Sequence, residues 1–152
     1  MFKTLLAAIV AVVLLAPGIA LAGLTKNEKA LLRQMNRIRA QHGLRGLRAD
    51  HHLERAARFH THQMLGSGTF AHGAFGSRMV AFAVAGRVAG ENIAWGTGSR
   101  GTARAIVAAW LASPEHRANL LSATYSRVGV GDLVGAFQGY AGAHVVTADF
   151  AG

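Results

Sequence analysis

Apolar positions fall at helical spacing as far as about Leu121 and at alternate positions beyond Tyr125, so the chain reads as helices first and strands last. Thr25-Lys26-Asn27-Glu28 has the form of a capping box, in which the Thr hydroxyl and the Glu carboxylate each satisfy an orphaned backbone donor. A helix is predicted from there, with Leu31, Leu32, Met35, Ile38 and then His42 or Leu44 on its apolar stripe, arginines on the other face and Gly43 as its stop. Asp50 predicts the cap of a second helix, which carries Leu53, Ala56, Ala57, His60 and Met64 until Gly66-Ser67-Gly68 ends it. A short third helix opens at Ser77 and runs through Ala85 to Gly86. Thr102 opens a fourth, whose apolar side holds Ala105, Ile106, Ala109, Trp110 and Leu111. Ser113-Pro114 closes it and starts a fifth to about Leu121, because Ser suits an N-cap and Pro the first helical position.

Val128, Val130 and then Leu133 or Val134 predict one strand and His144 to Phe150 another, with Gly135 to Gly142 as the hairpin connection between them. Asn92 to Trp95 is a further strand candidate. This order of elements predicts an α+β fold rather than a doubly wound sheet. No internal repeat, linker or second domain is legible.

The N-terminus changes the picture. Lys3, an apolar run from Leu5 to Ala16, the Pro17-Gly18 break and Ala20-Leu21-Ala22 together read as a secretory signal peptide over residues 1–22; the alternative is a membrane anchor. Residues 23–152 are then a single domain, large enough for a real core, in a secreted or periplasmic protein. With no cysteine, packing alone must hold it, and no thiolate nucleophile exists. A net charge of +9 favours peripheral attraction to anionic surfaces. The arginines are scattered without aromatic interleaving, so an evenly solvated basic surface is expected and no nucleic acid partner.

Candidate chemistry is confined to a few polar positions. His72 follows Phe70 in a glycine-flanked loop, where an imidazole is either simply solvated or free to titrate and ligate. Glu91, between Gly90 and Asn92, precedes the apolar Ile93-Ala94-Trp95 and must be paired; it either holds a loop or serves a site. Glu115 and His116 are about 100° apart on the first turn of a helix, so one of them faces a pocket and the other does not. The helix dipole explains Glu115, which leaves His116 as the site residue. The remaining histidines, His60 included, show no ligand spacing. There is no G-x-S-x-G elbow and no phosphate-binding loop, and Ser113 is expected as a helix cap.

Taken in order, Asn36-x-x-Arg39, Gly43-Leu44-x-x-Leu47, Phe70-x-His72, Gly90-Glu91-Asn92-Ile93, Trp110-x-x-Ser113-Pro114-x-His116-Arg117, Val128-Gly129-Val130-Gly131 and Thr147-x-Asp149-Phe150 resemble the CAP superfamily, or SCP domain. This superfamily takes in cysteine-rich secretory proteins, antigen 5 and plant pathogenesis-related proteins, and the chain is most similar to its small exported bacterial members. The resemblance implies an α-β-α sandwich with a central, mostly antiparallel sheet flanked by helices. It implies a surface cleft in which His72, Glu91 and His116 match the family's first His, its Gly-Glu-Asn glutamate and its second His. Where eukaryotic relatives carry a second Glu, this chain has Ser113, with Glu115 as a neighbouring substitute. Two imidazoles and a carboxylate are a donor set for Zn²⁺ or another divalent metal, with His72 and His116 as the candidate ligands. The expected function is therefore binding of a small molecule, a lipid or a cell-envelope component by a monomer. The alternatives are a metal-dependent hydrolase or peptidase using the same cleft, and an adhesive basic surface protein.

Overall fold

A computed structural model describes residues 23–152; the expected signal segment lies outside the described residues. The elements in chain order are α1 (Lys26–Gln41), β1 (Arg48–Ala49), α2 (His51–Ser67), α3 (Phe75–Ala81), β2 (Ala89–Thr97), a 3-10 turn (Gly98–Gly101), α4 (Ala103–Ala112), α5 (Pro114–Leu120), β3 (Arg127–Phe137) and β4 (Tyr140–Ala151). The strands form one sheet in the order β1-β3-β4-β2, antiparallel except for the short parallel pairing of β1 with β3. Helix α2 packs on one face of the sheet, while α1 and α4 cover the other, giving the α-β-α sandwich of an α+β protein. Among the described residues no helix is long and apolar enough to cross a membrane.

The Val-Gly-Val-Gly motif explains how the layers fit. Alternate residues of a strand face opposite sides, so Val128 and Val130 enter the core under α1 and α4 with Met35, Trp110 and Phe150. Gly129 and Gly131 face α2. A Cβ on Gly129 would stand 1.9 Å from the Leu53 carbonyl carbon, and one on Gly131 2.7 Å from Thr61 Oγ1. The helix therefore rests directly on the β3 backbone, and this close approach sets the height of everything α2 carries.

The cap predictions at Thr25 and Asp50 hold. Thr25 accepts from the Glu28 amide while Glu28 accepts from that of Thr25, and Asp50 accepts from His52 and Leu53. Other details differ. Helix α3 starts at Phe75, ahead of Ser77, with no side-chain cap, and ends at Ala81 before the left-handed Ala83. In α4, Val107 is in the core and Ala109 is exposed. The hairpin loop is only Gln138-Gly139, both at positive φ, the conformation that matches strand twist; Gly135 to Phe137 and Tyr140 to Gly142 are strand. Arginines are not uniformly solvated either. Arg39 is buried and donates to the carbonyls of Arg45, Leu120, Ser122 and Tyr125, tying the end of α1 to the end of α5.

Candidate functional site

Each residue of Gly90-Glu91-Asn92 has a separate duty at the exposed edge of the sheet. Gly90 leaves room for Tyr125 and Asn119, since a Cβ there would stand 2.4 Å from the Tyr125 hydroxyl. Glu91 points to the α2 side. Asn92 points to the other side, where its Nδ2 donates to the His116 carbonyl at 2.9 Å and its Oδ1 accepts from Asn119 Nδ2 at 3.0 Å. Asn119 Nδ2 also donates to the Glu91 carbonyl, so α5 is fastened to β2 by amide side chains.

On the α2 side Glu91 is the centre of a buried network. Its Oε1 accepts from His72 Nδ1 at 2.7 Å, and its Oε2 from Arg78 of α3. Arg78 also approaches Asp149 Oδ1 at 3.5 Å and donates to the His72 carbonyl at 3.3 Å, so it fixes both the carboxylate and the backbone of the loop that presents His72. The Glu91 side chain is 3% exposed and that of His72 is 55% exposed. A solvent-facing imidazole is thus held by its inner nitrogen on a buried acid, while its Nε2 has no protein partner among the described residues. His60 of α2 completes the enclosure. Its Nε2 donates to the Ala71 carbonyl and lies 3.7 Å from Glu91 Oε2.

Charge is short by one cation. Glu91 and Asp149 are register partners on β2 and β4, and among the described residues Arg78 is the one cation that reaches both. Burial pushes Glu91 up to about 7 against the pull of Arg78. Burial first, and the charge of Glu91 second, raise Asp149 well above the usual carboxylate range. With one guanidinium between two buried carboxyls, charge on both at once is disfavoured. His60 cannot supply the missing charge, because burial and then Arg78 lower it to about 4.

His116 is half-buried on α5, and its Nδ1 is 2.8 Å from Ser113 Oγ. The Ser113 hydroxyl makes no cap to α5, contrary to expectation, because it is turned toward this ring. Burial lowers the His116 pKa, the charge of His72 lowers it further, and Glu115 opposes them. Among the described residues His72 and His116 have separate partners, Glu91 and Ser113, and no hydrogen bond or ion pair joins the two rings. Glu115 is exposed and makes no hydrogen bond among the described residues.

Sequence reasoning assigned no role to Arg78, His60 or Asp149. Asp149 left a trace: Thr147 and Asp149 alternate with Val146, Ala148 and Phe150, which marks a polar stripe on an otherwise buried strand. Nothing local distinguishes Arg78 from the surface arginines.

A family model described as CAP, cysteine-rich secretory protein family, matches residues 32–150. The chain is 34% identical over 109 residues to the uncharacterized protein YkwD of Bacillus subtilis (strain 168), covering 68% of this chain and 41% of YkwD. It is 35% identical over 112 residues to the uncharacterized membrane protein YlbC of the same bacterium, covering 70% of this chain and 32% of YlbC. The chain thus spans less than half the length of these curated relatives. Among solved structures it is similar to an extracellular protein containing an SCP domain from Bacillus anthracis str. Ames, with TM-score 0.66, 29% identity and coverage of 82% of this chain and 40% of that one. It is also similar to an outer surface protein from Borrelia burgdorferi, with TM-score 0.71, 22% identity and coverage of 83% and 92%, a likeness of fold alone.

Proposed function

The chain belongs to the cysteine-rich secretory protein (CAP) family, and from that membership we propose that it is an exported protein whose His72–Glu91–His116 cleft binds a ligand or a component of the cell envelope. The observation that carries this reading is the 2.7 Å contact between His72 Nδ1 and Glu91 Oε1, made by a mostly exposed ring to an almost fully buried acid. Burying that acid beside Asp149 is costly, and a surface histidine needs no such support to be solvated. The arrangement fits a ring that must be aimed. Export agrees with the N-terminal signal pattern and with the extracellular description of the Bacillus anthracis relative.

The donor set fits a divalent ion such as Zn²⁺ in part. His72 and His116 each leave Nε2 without a protein partner among the described residues while an oxygen, from Glu91 or Ser113, holds Nδ1, which is how outer groups orient metal-binding imidazoles. Among the described residues no group of three His, Cys, Asp or Glu side chains could hold a metal, so an ion held here would take its remaining ligands from solvent or from the bound molecule. A bound ion would supply Lewis acidity and an anchor for an anionic ligand group. A hydrolase or peptidase would need Glu91 as base or ligand, and both of its oxygens are already engaged, which favours binding over catalysis.

Calorimetry with Zn²⁺ on the purified protein, His72→Ala and His116→Ala tests the reading. One saturable site lost in both variants supports it, and equal heats in all three proteins remove it.

A further inference from the structure

At the far end of the same sheet face lies an open cavity of about 490 Å³ that shares no residue with the histidine cleft. Its walls are Trp95, Tyr140 and the loop Gly96 to Arg100. The rings of Trp95 and Tyr140 stand 5.6 Å apart with a 41° tilt, and Tyr140 is 57% exposed. Trp95 in turn meets Phe137 edge-on, and Phe137 meets Phe70, so an aromatic row leads back toward the loop that presents His72.

The polar groups here distinguish this cavity from ordinary aromatic packing. The indole N–H of Trp95, the hydroxyls of Tyr140, Thr97 and Ser99, and the Arg100 guanidinium make no hydrogen bond or ion pair among the described residues, so all of them are open to a ligand. The turn that carries them is fixed, because Gly96 lets the Arg100 and Gly101 backbones approach within 2.6 Å and 3.1 Å of where its Cβ would be. Rigid aromatic faces beside unpaired donors and hydroxyls, open to solvent, match the two sides of a pyranose ring: apolar C–H bonds on its face and hydroxyls around its rim. A lipid chain would leave those donors unpaired. The cation at the rim selects a carboxylate, which a guanidinium holds in a planar fork.

We propose that the Trp95–Tyr140 cavity is a carbohydrate site for a glycan bearing a carboxylate, with Arg100 as the residue that reads the acid. The chain has two tryptophans, and Trp110 is 1% exposed, so a ligand-induced change in intrinsic fluorescence reports Trp95. The probes are glycan strands of alternating N-acetylglucosamine and peptide-free N-acetylmuramic acid, which carry carboxylates, and the neutral tetramer of N-acetylglucosamine. Both are expected to give saturable changes, with the acidic strand binding about tenfold more tightly at low salt. Tyr140→Ala, at an exposed position, weakens both probes by about tenfold or more, as loss of one stacking ring requires. Arg100→Gln brings the acidic strand to the affinity of the neutral one and leaves the neutral one unchanged. His72→Ala alters neither, which separates this site from the cleft. Absence of a saturable response to both probes, equal affinity for the two, or binding indifferent to Tyr140→Ala and Arg100→Gln overturns the proposal.

Discussion

Glu91 and Asp149 face each other as register partners on β2 and β4, and among the described residues Arg78 is the one cation that both of them meet. This relationship governs how His72 is held. The same Glu91 carboxylate holds the His72 ring, and the same Arg78 holds the His72 carbonyl, so the buried charge and the surface imidazole are mechanically one unit.

Removing the cation should therefore leave the buried acids without their counter-charge. Arg78→Gln is expected to lose about 3–5 kcal/mol in urea unfolding at pH 7. Adding Glu91→Gln should recover part of that loss, because one of the stranded acids disappears. Additive losses in the double variant would place the carboxyls outside one network.

The network also fixes the sign of a pH effect. Glu91 binds its proton more tightly when folded, being raised from the ordinary value to about 7. The stability it contributes is full below the unfolded pKa and is lost as pH rises through the folded one. In metal-free protein, wild type should lose stability relative to Glu91→Gln between about pH 4.5 and 7, by on the order of 2–3 kcal/mol. His60, lowered to about 4, pulls the other way as pH rises to 6.5, but it is present in both proteins and cancels in the comparison. A pH-independent difference in unfolding midpoint contradicts the assignment.

Ser113 and Thr102 both precede helices, yet only Thr102 caps its helix, accepting from the Ala105 amide. Thr102→Ala should cost about 1 kcal/mol. Ser113→Ala should cost less in stability but reduce Zn²⁺ affinity by about tenfold or more, because the group that orients His116 is gone. Equal stability losses with unchanged affinity would return Ser113 to an ordinary cap.

Much of the architecture was legible because it depends on local signals. The capping box at Thr25, the Asp50 cap and the alternation of Val128 and Val130 each name their own element. The glycines between those valines look locally like turn residues, and only the packing of α2 on β3 shows that they are points of contact. The candidate site around Glu91 was half legible. His72, Glu91 and His116 stand out as polar residues at the edges of apolar runs, whereas Arg78 and His60 are brought to Glu91 by α3 and α2, across separations that carry no periodic signal. Two-residue pairing at Arg48–Ala49 was invisible for the same reason, since it exists only by contact with β3.

The α2 contact gives its own prediction. Gly129→Ala places a methyl group against the Leu53 backbone and should cost more than about 3 kcal/mol, or prevent folding. Gly135→Ala meets only the flexible Leu65 side chain, at 3.1 Å, and should cost less than about 1.5 kcal/mol. Equal tolerance at the two positions, read from thermal midpoints, would remove the close approach.

That His72 and His116 serve one cleft is tested most directly by following the His116 ring by NMR as pH is varied, in metal-free wild type and His72→Gln. The charge of His72 lowers the His116 pKa, so the variant should titrate at a higher pH than wild type. An identical His116 titration in both proteins would mean that the two imidazoles do not sense each other and do not share a site.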